Sequence, residues 1–235
     1  MRSVCVSPEK VRRRAVEVIG YCALYVLGFS LVEHRQVRPY IIHTKWDDLI
    51  PFCEYFIVPY LLWFFFVMGC ILWFGAFQGS EREYHSLTRN LAFGCTLFLL
   101  LSAVFPNGQD LRPVLTGDNV FQQLVMRLYR SDTSTNVFPS IHVFNSVACC
   151  TAVLRNHRLR SSRLISSGTV VLTVAIILST VFLKQHTVVD VFGAFVLNAF
   201  TDRLFYQKVG SEMTAPVWNR RLGMAGSYSS QNYRS

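Results

Sequence analysis

Two histidines and one aspartate are the residues of this chain whose types and spacing suit chemistry. His186 and Asp190 stand four apart in the run KQHTVVD, and His142 closes the tetrapeptide PSIH. On a continuous helix that spacing lays the carboxylate over the imidazole. A carboxylate on one ring nitrogen fixes the tautomer and leaves the other nitrogen free to attack. In FPSIH, Pro139 suits a first helical turn, where a missing N–H costs nothing. Ser140 and the free amides of that turn then face an anion, assisted by the helix dipole. His142, one turn in, is placed to protonate a leaving oxygen. Arg112, in NGQDLRPV, and Lys184 supply fixed positive charge for phosphoryl oxygens. The set suits phosphoryl transfer through a phosphohistidine and requires neither metal nor other cofactor.

Each residue also has a plainer reading. Taken singly, His142 also reads as a buried polar side chain bonding a neighbouring helix. His186 and Asp190 are also a structural pair, or two of three metal ligands with His142. Arg112 and Lys184 also read as snorkelling side chains at span ends. The constellation favours chemistry over these only if the chain brings its members to one place.

Hydropathy supplies the place. The 235 residues are 51% hydrophobic and only 16% charged, with a mean hydropathy of +0.32. That excludes an ordinary soluble domain and fits an all-α polytopic membrane protein. Six runs approach the length of a membrane span: 15–33, 54–77, 88–105, 137–154, 164–184 and 187–206. The last two form a tight hairpin. The first follows VRRRA without a small-residue cleavage site and reads as an uncleaved span. The expected organisation is a basic N-terminus (1–14), a six-helix membrane domain (15–206) and a polar, disordered tail (207–235).

With the N-terminus inside, 16 of the 23 Lys and Arg fall on the cytoplasmic side and 7 outside. The bias places both termini in the cytoplasm. It also accounts for the net charge of +9 without a nucleic-acid partner. All the candidate residues then lie on the extracytoplasmic face. The long loop 106–136 lies there too. Within it Val120, Phe121, Leu124, Val125 and Leu128 trace an amphipathic helix, lying in the membrane interface or packed on the protein. Seven cysteines, an odd number with no C-x-x-C, favour neither a disulfide framework nor a zinc site.

These motifs resemble the type 2 phosphatidic acid phosphatase superfamily, the lipid phosphate phosphatases that share a core with vanadium haloperoxidases. That family's motifs are K-x-x-x-x-x-x-R-P, P-S-x-H and S-R-x-x-x-x-x-H-x-x-x-D. Arg112–Pro113, Pro139–Ser140–Ile141–His142, and Ser179, His186 and Asp190 match them, and the resemblance covers roughly 50–206. Two positions depart: Phe105 stands at the lysine and Thr180 at the arginine of the pattern. The local look of FPSIHV and KQH is similar to the branch of inositol phosphorylceramide and sphingomyelin synthases. The resemblance implies His186 as nucleophile, Asp190 as its orienter and His142 as general acid and base. It implies Ser140, Arg112 and Lys184 as phosphate ligands, Lys184 standing in for a missing cation. The implied function is hydrolysis of a phosphomonoester or pyrophosphate lipid. The alternatives are transfer of a lipid phosphoryl headgroup to an alcohol, and a non-catalytic lipid-binding or transport protein. The partners implied are a lipid phosphate and membrane lipids; the sequence leaves the oligomeric state open.

Overall fold

The structure is a computed structural model and describes residues 6–77 and 80–213. It is built almost wholly of helices. In chain order these are α1 (Pro8–Glu33), α2 (Lys45–Leu49), α3 (Ile57–Leu72), α4 (Glu81–Val104), α5 (Val120–Ser131), α6 (Ile141–Arg155), α7 (His157–Arg160), α8 (Arg163–Phe182) and α9 (Val188–Met213). A 3-10 turn, Glu54–Phe56, leads into α3, which leaves through a π turn at Trp73–Phe77. The short strands β1 (Tyr40–Ile41) and β2 (Asn107–Gly108) pair in parallel, Tyr40 opposite Asn107.

Short polar side chains start most of these helices by satisfying amides that lack helical partners. Ser80 accepts from Glu83 N–H, Asn119 from Gln122 N–H, Asn156 from Leu159 N–H and Ser162 from Ile165 N–H. Six long helices coincide with the six apolar runs. Among the described residues, four stretches are long and apolar enough to cross a membrane: Pro8–Glu33, Glu54–Phe77, Glu81–Val104 and Arg163–Phe182. Ile141–Arg155 is apolar but shorter. Large apolar side chains point outward from them, among them Leu24, Phe65, Leu100 and Val171. This is the pattern of an integral membrane protein.

Helix ends differ from the apolar runs because polar turns extend beyond them. α1 begins at Pro8, inside the segment read as a basic terminus, and α9 continues through 207–213, inside the segment read as a tail. Residues 214–235, the rest of that expected tail, lie outside the described residues.

α6 occupies the centre, packed by α3, α4, α8 and α9. Its contacts are close because small residues face it. A Cβ on Gly94 would fall 2.0 Å from a ring atom of Phe144. At one end of the bundle Arg14 is buried, donating to Gly75 O at 2.9 Å and to Glu81 at 2.7 Å. At the other end Arg35 caps the last carbonyls of α4, Ala103 O at 2.8 Å and Ser102 O at 2.5 Å. The candidate residues gather at this second end. The face of α5 formed by Phe121, Leu124, Val125 and Leu128 packs there on Ile57, Tyr60 and Leu183, while Val120 stays exposed.

Candidate active site

The loop between α8 and α9 sets the geometry. α8 closes with a left-handed residue, Lys184 at φ 52°. Gln185 N–H returns to Thr180 O (2.9 Å) and Lys184 N–H to Val181 O (3.1 Å). This is the Schellman closure, which ends a helix sharply. α9 opens with a reciprocal cap: Thr187 Oγ1 accepts from Asp190 N–H (3.2 Å), and Asp190 Oδ2 accepts from Thr187 N–H (2.7 Å). The helix is therefore not continuous from His186 to Asp190, so the condition for a one-turn overlay of carboxylate on imidazole is not met. The cap, rather than a helical turn, carries the carboxylate toward the imidazole.

Asp190 Oδ2 lies 3.5 Å from His186 Nδ1. Asp190 is fully buried, and its Oδ1 and His186 Nδ1 have no hydrogen-bond partner among the described residues. On the opposite edge of the ring, His186 Nε2 is 3.4 Å from His142 Nδ1. Asp190, His186 and His142 thus form a line. Two aromatic rings of α3 enclose His142, Tyr60 at 4.7 Å and Trp63 at 4.4 Å between centroids. Tyr60 donates to Asp132 at 2.8 Å.

The PSIH segment is locked from three directions. Ser140 is the N-cap of α6, accepting from Val143 N–H at 3.4 Å, and its own N–H donates to Asp190 O at 3.1 Å. Pro139 therefore precedes the cap instead of sitting in the first turn, and the Ser140 hydroxyl serves the helix. Asn107, fully buried, accepts from both Val137 and Phe138 N–H at 2.9 Å. The Phe138 ring lies against Gly193, where an added Cβ would come within 2.5 Å of it.

The two expected cations take different positions. Lys184 Nζ donates to Asp47 O (2.7 Å) and Ile50 O (2.5 Å). Burial pushes this ammonium below its ordinary pKa. Its bonds dock the strap 44–53 onto the hairpin, so its recorded partners are carbonyls and not the imidazole pair. Asp47 completes the docking by accepting from Val188 N–H, the first amide of α9, at 2.7 Å. Arg112 donates to the carbonyls of Tyr129 (3.1 Å), Asp132 (2.7 Å) and Thr133 (2.6 Å) and to Gln185 Oε1. Its guanidinium lies over the Tyr129 ring at 4.4 Å. Burial lowers its pKa too. Its Nε is buried without a partner among the described residues.

His142, His186 and Asp190 are thus brought together, with Arg112 joined to them through Gln185. Ser140 and Lys184 build the scaffold. Sequence reasoning passed over Asn107, Gln185 and Tyr60; it took Asp47 for part of a polar outer loop and Trp63 for part of a lipid-facing aromatic stripe. Two of these left a signal: Thr44-x-x-Asp47 is a capping box, realised here, and Tyr60 and Trp63 share one helix face.

A family model, the PAP2 superfamily, matches residues 90–213 and so takes in all of these catalytic candidates. The chain belongs to the PAP2 superfamily. Members of this superfamily are generally phosphatases or phosphotransferases, consistent with a lipid phosphate partner. No curated protein and no solved structure matches the chain. The matched segment includes both departures from the superfamily pattern. Phe105 is partly exposed and packs on Tyr40 at 5.6 Å, and the Thr180 hydroxyl bonds back to Ile177 O at 2.7 Å.

Proposed function

We propose that this PAP2 protein is a metal-independent lipid phosphate phosphatase working through a phosphohistidine on His186. The line Asp190–His186–His142 carries the reading. Asp190 on Nδ1 favours the tautomer whose Nε2 lone pair attacks phosphorus, and it stabilises the positive charge that the phosphorylated ring acquires. The lipid oxygen leaves with a proton from His142. A water activated by His142 then attacks the phosphohistidine and releases inorganic phosphate. Proton transfer of this kind contributes about 10²–10⁴-fold. At 3.4 Å the two imidazoles are too close to admit a phosphoryl group between them, so substrate entry parts the rings. The packing of His142 against Tyr60 and Trp63 makes it the ring confined by aromatic walls.

The six long helices span the bilayer with both termini in the cytoplasm and the site at the extracytoplasmic face. This orientation follows from the distribution of Lys and Arg. The substrate is a phosphomonoester or pyrophosphate lipid of the outer leaflet.

The test is phosphate release from such lipids by purified protein in EDTA, with His186→Ala in parallel. Release that the variant abolishes supports the reading. Release that survives in the variant removes His186 as nucleophile. Product that forms only when an alcohol is added assigns the chain to headgroup transfer.

A further inference from the structure

The superfamily pattern supplies two cations that Phe105 and Thr180 replace here, and the ammonium of Lys184 is committed to the carbonyls of Asp47 and Ile50. The phosphate of the proposed reaction therefore needs other donors. The structure offers a neutral one on the residue directly before the nucleophile.

Gln185 is only 2% exposed and directly precedes His186. Its Oε1 accepts from Arg112 Nη2. A guanidinium only donates, so this bond fixes the flip of the amide: the oxygen faces Arg112 and the NH2 faces away. That NH2 has no hydrogen-bond partner among the described residues, and neither has Arg112 Nε. Two buried donors on two directly bonded side chains are thus left bare. Leaving them so costs free energy unless an acceptor meets them. The backbone around them is fixed as well, with Gln109 Nε2 donating to Lys184 O at 2.9 Å while Gln109 Oε1 accepts from Leu111 N–H at 2.6 Å. The amide is therefore presented by a rigid loop, with no rearrangement required at the moment of reaction.

We propose that Gln185 is a phosphate ligand, its Nε2 donating to one non-bridging oxygen of the phosphoryl group while Arg112 Nε donates to another. The proposal rests on the phosphatase reading for its substrate but not for its anion site. In the transition state charge is spread over those oxygens, so a fixed donor there lowers the barrier. Loss of one such donor lowers turnover about 10²-fold.

A purely structural Gln185 would only brace Arg112, and two variants separate the roles. Gln185→Glu keeps an acceptor for Arg112 but replaces the free donor with an anion. Gln185→Leu removes both. The probe is orthovanadate, a phosphate-shaped anion, read as the rise in melting temperature that it causes in detergent-solubilised protein; turnover is followed separately. The expected result is a vanadate shift weakened by Gln185→Leu and abolished by Gln185→Glu, while the melting temperature without vanadate holds in Gln185→Glu. The loss on Gln185→Leu should also persist in an Arg112→Met background, because a direct ligand does not act through Arg112. A wild-type response to vanadate in Gln185→Glu overturns the proposal, as does the absence of any vanadate shift in the wild type. So does an effect of Gln185→Leu that vanishes once Arg112 is gone. Should Arg112→Met fail to fold, the Gln185→Glu variant alone still decides. Vanadate binding that depends on Gln185 in a protein that releases no phosphate sustains the ligand and removes the phosphatase reading. Phosphate release indifferent to substitution of Gln185 does the reverse.

Discussion

Asp190 has two roles in one side chain, and they can be taken apart. Its Oδ2 accepts from Thr187 N–H at 2.7 Å, which starts α9, and lies 3.5 Å from His186 Nδ1, which serves the proposed chemistry. Asparagine retains an oxygen for the amide and loses the charge. Asp190→Asn should therefore fold and melt like the wild type while releasing phosphate about 10²–10⁴-fold more slowly. Asp190→Ala should show the same loss of turnover and, in addition, about 1 kcal/mol less stability from the missing cap. Paired melting curves and rates measure both. An Asn variant of undiminished turnover would reduce Asp190 to a cap. Residue type, spacing and a shared side of the membrane singled out His142, His186 and Asp190 in the sequence, because ionisable side chains at membrane depth are rare and costly. They misplaced Lys184. Sequence shows a cation near a nucleophile but not the strap whose carbonyls hold it. Gln185 stayed invisible for the opposite reason: a neutral amide draws no notice until its partner and its bare NH2 are seen together.

At the scale of elements, the strap 44–53 is the piece that sequence treated as a polar loop. It holds the hairpin from outside. Asp47 is 2% exposed and accepts from Val188 N–H, Thr44 N–H and the Thr44 hydroxyl at 2.7, 2.8 and 2.7 Å. Cys53 N–H bonds Phe182 O at 3.0 Å. His43 clips the strap to the loop carrying Arg112, with Asp48 and Asp110 both at 2.8 Å. Those two carboxylates raise its pKa. Asp47→Ala orphans the first amide of α9 in a half-buried position. The expected cost is about 1–3 kcal/mol of stability, together with weaker turnover as the His186–Asp190 contact loosens, and Asp47→Asn should recover part of both. Thermal unfolding in detergent and steady-state rates read the two effects. An Ala variant that melts and turns over like the wild type would mean that the hairpin holds its shape without the strap. The helices themselves were legible because hydropathy and caps act locally. The strap was not, since its partners on the hairpin lie far away in sequence.

For the whole molecule the open dimension is direction. The bundle has two ends of different chemistry. One holds Arg14, Glu81, Asn156 and the basic turn 155–163; the other holds the strap, Arg112 and the imidazole pair. Lys and Arg favour the first end as cytoplasmic, because retaining positive charge there is what orients spans during insertion. On that orientation the proposed reaction would take lipids of the outer leaflet and release phosphate on the far side from the cytoplasm. Two positions outside the long helices test this: Asp118, in the loop before α5, and Ser161, in the turn before α8. Single cysteines are placed at each in an otherwise cysteine-free chain, and intact cells are treated with an impermeant thiol reagent. Asp118→Cys should label at once and Ser161→Cys only after the membrane is opened. The reverse pattern would turn the site toward the cytoplasm and make inner-leaflet lipids its substrates. Labelling of both in intact cells would mean that α6, the one long helix between them, does not cross. Its 15 residues rise only about 22 Å against a hydrocarbon core of about 30 Å.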